Sequence, residues 1–94
     1  MAPSNRAGED LSVRRRRLRY RAWHRGTREL DLLLGPYADA ELEGMDRTEL
    51  DRFERLLSLE ETELRAWLLG QERPPPGADR NLLDRIIAHK ITTP

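Results

Sequence analysis

Apolar residues fall in short groups at helical spacing, and the polar residues between them carry signals that start and stop helices. The clearest stripe is Leu30, Leu33, Leu34 and Tyr37, at i, i+3, i+4 and i+7, which lines one face of a helix beginning near Thr27. Gly35-Pro36 falls inside that stripe. Proline lacks an N–H and crowds the preceding turn, so a kink or break is expected there, with helix resuming over Tyr37 to Leu42 before Gly44. Upstream, a helix is predicted from about Val13 to His24, with Ser12 as N-cap, apolar positions Val13, Leu18, Tyr20 and Trp23, and Gly26 ending it.

Downstream, Asp46 and Glu49 stand three residues apart and form a capping box for a third helix, whose inward stripe is Leu50, Phe53, Leu56 and Leu57. Ser58 and Glu61 suggest a second box opening a fourth helix, with Leu64, Trp67 and Leu68 inward and Gly70 as its C′ residue. Pro74-Pro75-Pro76-Gly77 is a stiff connector. Asp79 or Asn81 caps a fifth helix that turns Leu82, Leu83, Ile86 and Ile87 to the core, and Ile91 to Pro94 should fray. There is no internal repeat and no credible strand. The expected fold is all-α, a compact bundle of five short helices over residues 12–91, preceded by a disordered tail at 1–11.

With 94 residues, the chain suits one domain that buries about 60% of its unfolded surface, leaving little room for a large internal cleft. The absence of cysteine excludes disulfides, thiolate metal sites and a cysteine nucleophile. His24 and His89 lack ligand spacing, and Asp39, Glu41 and Glu43 lack metal-ligand geometry, so no metal is expected. No apolar run approaches 18 residues, so no membrane insertion is expected. Met1 to Asp10 has no apolar core and contains Glu9 and Asp10, unlike a secretory or transit signal; a bacterial cytoplasm is the expected location.

Net charge is zero, yet charge is unevenly distributed. Residues 12–28 hold eight arginines and no acid, whereas residues 29–63 hold twelve acids against three arginines. The run Arg14 to Arg21, interleaved with Tyr20 and near Trp23, could bind nucleic acid. Consecutive residues point all round a helix, however, and the acidic middle would repel a wrapped polyanion. A solvated or protein-docking face is the preferred reading, and a small basic-helix nucleic-acid-binding regulator is the alternative. Glu60, Glu61 and Glu63 fall in a first helical turn, where they complement the helix dipole rather than suggest acid–base catalysis. His24 has no accompanying nucleophile or oxyanion motif, and His89 falls near a helix C-terminus. Phe53 and Trp67 are expected in the core.

The stretch Trp23 to Asp31 carries more polar character than packing requires. Arg25 and Glu29 flank Gly26 and would share a face on a continuous helix. Two readings stand open: a surface ion pair beside a turn glycine, or a polar docking point with a glycine at its centre.

Arg16-Arg17-Leu18-Arg19-Tyr20-Arg21-Ala22-Trp23-His24-Arg25-Gly26-Thr27-Arg28-Glu29-Leu30-Asp31 closely resembles the signature of the SdhE (succinate dehydrogenase assembly factor) family, centred on Arg-Gly-x-x-Glu. The likeness continues through Leu33-Leu34-Gly35-Pro36-Tyr37, Phe53-Glu54-Arg55-Leu56-Leu57 and Glu63-Leu64-Arg65-Ala66-Trp67-Leu68, covering about residues 13–90. The resemblance implies a five-helix, non-enzymatic assembly factor that binds the flavoprotein subunit of succinate dehydrogenase, with fumarate reductase as a further client. It would promote covalent attachment of FAD to a histidine of that partner. FAD would then belong to the partner, with none bound stably by this chain. The implied partner-binding residues are Arg25, Gly26 and Glu29, joined by Arg21, His24 and Arg28, on a chain expected to be monomeric and to bind no nucleic acid.

Overall fold

The computed structural model describes the backbone of residues 10–92 and the side chains of residues 10–90. Five α-helices follow one another: α1 (Leu11–Trp23), α2 (Arg28–Glu41), α3 (Arg47–Leu57), α4 (Glu61–Leu68) and α5 (Arg80–Thr92), with a 3-10 turn at Leu42–Gly44. No strand occurs among the described residues, and the all-α expectation holds. The expected tail lies largely outside the described residues, but its last position, Leu11, opens α1. Asp10, not Ser12, is the N-cap: its carboxylate accepts from the Ser12 N–H at 2.7 Å and from the Ser12 hydroxyl at 2.6 Å.

The core is one cluster in which Leu18, Leu30, Leu34, Leu42, Leu50, Phe53, Leu57, Leu64 and Ile86 are fully buried. Helix α1 lies against α2 and α3, and α5 closes the bundle on α2 and α4. Tyr37 packs its ring on Phe53, centroids 6.0 Å apart, and takes His89 edge-on at 5.8 Å. The inward face of α1 differs from its apolar pattern. It buries Arg14, Leu18 and Ala22, while Val13 and Tyr20 stay exposed.

Helix α2 runs unbroken through Pro36, contrary to the break expected at Gly35-Pro36. The carbonyl deprived of an intrahelical donor is that of Leu32, a residue on the exposed side of the helix and open to hydration. Gly35 serves packing: a Cβ there would overlap the Trp23 indole, which lies flat against the missing side chain. The glycine sets how closely the end of α1 approaches α2, and the Trp23 Nε1–H reaches Asp39 Oδ1 at 3.3 Å.

The α3 capping box forms, with Glu49 N–H donating to Asp46 at 2.8 Å and Asp46 N–H to Glu49 at 3.1 Å. The second box does not. Ser58 ends α3, donating its hydroxyl to the Glu54 carbonyl at 3.0 Å, and Glu60 caps α4 by accepting from the Glu63 N–H at 3.0 Å. That backbone hydrogen bond holds the Glu60 carboxyl below its ordinary pKa. At the far end of α4, Gly70 (φ +76°) completes a Schellman motif, with Gly70 N–H on Trp67 O and Gln71 N–H on Ala66 O. Asp79, not Asn81, caps α5. Trp67 is half-buried, against the expectation of a core residue, because it packs at the edge of the cluster where α4 meets the connector.

Candidate partner-docking site

Helix α1 ends at Trp23, and α2 begins at Arg28 with Thr27 as N-cap, its hydroxyl accepting from the Leu30 N–H at 3.4 Å. Between them the chain reverses direction through Arg25-Gly26-Thr27. Gly26 has φ +118°, which a side chain adopts only with strain, so the turn requires glycine. Arg25 and Glu29 therefore do not share a continuous helix. The Arg25 N–H donates instead to Asp31 Oδ1 at 2.8 Å, tying the turn to the first turn of α2.

The Arg25 guanidinium reaches across to the C-terminal end of α3, donating to the carbonyls of Leu57 and, at 2.9 Å, of Leu59. Arg21 donates to the same Leu57 carbonyl at 3.3 Å and to Ser58 Oγ at 3.4 Å. Two arginines thus satisfy carbonyls that the end of α3 leaves without intrahelical donors, at the negative pole of that helix. The Arg25 Nε is buried without a hydrogen-bond partner. His24 caps α1 by donating its N–H to the Arg21 carbonyl at 3.2 Å; its ring is exposed and stacks on Tyr20 at 4.0 Å.

With Arg21 and Arg25 directed inward, the outward face of the turn is Gly26, Arg28 and Glu29, all exposed. Arg28 and Glu29 make no ion pair or side-chain hydrogen bond with a described residue. The pattern of residues did not single out Glu61 as part of this place. Its Oε1 lies 2.9 Å from where a Gly26 Cβ would be, so the start of α4 forms one wall of the turn.

Apart from the exposed Arg16, the rest of the arginine run is engaged elsewhere. Arg14, 3% exposed, donates to Glu54 Oε1 at 3.0 and 3.2 Å and to Asp51 at 2.6 Å. Arg17 pairs with Glu54 at 3.2 Å, and Arg21 approaches it at 3.9 Å. Burial alone would lower the Arg14 pKa, but the hydrogen bonds to Asp51 and Glu54 outweigh it and raise the value above that of a free guanidinium. Arg15 donates to the carbonyls of Leu42 (2.9 Å) and Met45 (2.8 Å), and Arg19 pairs with Asp39 at 3.2 Å. A nucleic-acid interface built on this run loses most of its cations to the fold. No cluster of three or more His, Cys, Asp or Glu among the described residues could hold a metal.

Residues 16–90 match the family model described as flavinator of succinate dehydrogenase. This chain belongs to that family. Among flavinator relatives, an FAD assembly factor from Acetobacter pasteurianus is 38% identical over 81 residues, covering 86% of this chain and 74% of its own length. Mitochondrial succinate dehydrogenase assembly factors 2 from Cryptococcus neoformans (38% over 73 residues) and Arabidopsis thaliana (35% over 75) are also similar. The chain spans only 42% and 40% of those two proteins. The flavinator family places this chain in succinate dehydrogenase assembly and leaves the nucleic-acid alternative without support.

Proposed function

We propose that this flavinator acts as a binding partner and not as an enzyme. In this reading it docks on the flavoprotein subunit of succinate dehydrogenase through the turn around Gly26, and FAD attachment proceeds in the partner. The observation that carries the proposal is the exposed, side-chain-free backbone at Gly26, braced by Arg25 on α3 and flanked by Arg28 and Glu29, whose charges pair with no described residue. A rigid turn of this kind admits another backbone at close range, while its rim offers one donor group and one acceptor group for charge-assisted hydrogen bonds. Arg21 and Arg25 support this surface from behind, and the exposed His24 ring, stacked on Tyr20, borders it.

Docking accelerates attachment by population shift. If the chain binds the flavinylation-competent conformer of its partner more tightly than the others, that conformer becomes dominant. FAD is the group being attached; it stays in the partner, which supplies the accepting histidine. The chain acts as a monomer in the bacterial cytoplasm, with the fumarate reductase flavoprotein as a second client. No described helix is long and apolar enough to cross a membrane.

The test is flavinylation of the purified flavoprotein subunit, read by in-gel flavin fluorescence, with wild type or Gly26→Arg. The substitution fills the floor of the turn, and the expected result is loss of the stimulated reaction with the bundle still folded. Equal labelling by the two proteins would refute the docking role of the turn.

A further inference from the structure

On the other side of the α3–α4 turn lies a cleft of about 560 Å³, within the roughly 300–1,000 Å³ range of clefts that hold ligands. Its walls are Leu56, Leu59, Trp67, Ala78 and Leu83, with Arg55 at the rim. Leu56 and Leu83 belong to the buried core, whereas Trp67 and Leu59 are half-buried and present apolar surface. Arg52 clamps Asp79 through two hydrogen bonds of 2.7 Å, pinning the proline-rich connector to α3. The cleft is therefore preformed, and filling it requires little ordering. Arg52 is taken up by Asp79, whereas the exposed Arg55 side chain makes no hydrogen bond or ion pair with a described residue and acts on Asp79 only as a nearby charge that helps lower its pKa.

We propose that this cleft is a second docking site for the flavoprotein partner, receiving a short segment that carries a large apolar side chain next to a carboxylate. The apolar residue packs on Trp67 and Leu59, and the carboxylate meets Arg55. A protein segment is favoured over a small molecule because one residue, Leu59, links the cleft to the turn assigned to docking. Leu59 lines the cleft with its side chain while its carbonyl accepts from Arg25 at 2.9 Å. One partner surface lying over the α3–α4 turn would reach both places. The proposal rests on that docking reading and extends it.

Affinity for the purified flavoprotein subunit, measured by calorimetry, tests both together. Arg55→Glu alters an exposed side chain in the last turn of α3 and should lower the melting temperature only slightly while weakening binding about tenfold, because it sets a charge against the partner carboxylate. Trp67→Ala, with its fold checked by circular dichroism, should weaken binding by about 30-fold or more, as removal of an aromatic anchor does. Wild-type affinity for Arg55→Glu, alongside weak binding by Gly26→Arg, overturns the cleft and leaves the turn standing. Wild-type affinity for Gly26→Arg with weak binding by Arg55→Glu does the reverse. Titration with free FAD is the remaining arm: quenching of flavin fluorescence that disappears in Arg55→Glu would make the occupant a nucleotide and overturn a protein segment.

Discussion

Two stretches only a few residues apart, the arginine stripe of α1 and the turn at Arg25–Glu29, are both rich in charge and meet opposite fates. In the stripe, Arg14, Arg17 and Arg21 recur at i, i+3 and i+7 and meet Asp51, Glu54 and Ser58, which recur at the same spacing on α3. Charge there joins two helices. In the turn, Arg25 is drawn inward to the α3 carbonyls, and its neighbours Arg28 and Glu29 are left outward without a partner among the described residues. On the docking reading proposed above, a surface for another molecule is marked by charges the fold does not use, and not by the places where charge is most concentrated.

The largest expected effect breaks the wired side. Glu54→Ala leaves Arg14 buried beside Asp51 alone, and loss of one partner from a buried ion pair costs about 3–5 kcal/mol. Chemical denaturation should show that loss, while flavinylation per folded molecule stays normal. A mild effect on stability would mean that the stripe is solvated and could serve as a binding face after all. Next comes Gly26→Ala, where a Cβ at φ +118° near Glu61 should cost about 1–2 kcal/mol. Its flavinylation defect should be smaller than that of Gly26→Arg, since backbone strain is shared but bulk is not.

Asp79→Asn tests a smaller electrostatic contribution. Arg52 holds the Asp79 carboxyl below its ordinary pKa, chiefly through their hydrogen bond. A depressed carboxylate stabilises the folded state above its unfolded pKa, about 3.9, and loses that contribution as pH falls through the folded value. The difference in stability between wild type and Asp79→Asn should therefore be about 1 kcal/mol or less near neutrality and vanish in acid. The smallest change in stability is expected from Glu29→Ala. Thermal melting should stay within about 0.5 kcal/mol of wild type, while affinity for the flavoprotein subunit falls. Glu29→Ala that binds as wild type would remove this residue from the docking face.

Much of the bundle was legible in the order of residues because its signals are local. The Leu30–Tyr37 stripe, the Asp46–Glu49 box and Gly70 after α4 each act within a few residues of chain, so spacing alone reveals them. The turn glycine was legible too, as a break between two helical patterns. Some local signals misled where two residues competed for one role. Asp10 displaced Ser12 and Glu60 displaced Ser58 as caps, and Pro36 stayed inside α2 because its cost falls on an exposed turn.

The amino-acid order by itself determined five helices, their inward leucines and a glycine at the α1–α2 reversal, since hydrogen bonding within a turn and side-chain periodicity need no distant neighbour. Tertiary packing decided which charges remain available. The pairs that join α1 to α3 are formed by residues far apart in the chain, 40 residues for Arg14 and Glu54, so no local pattern reveals them. The same packing turned Arg25 inward, left Arg28 and Glu29 outward, and opened the cleft beside Trp67, because whether a guanidinium finds a carboxylate, a carbonyl or solvent depends on where the other helices come to rest.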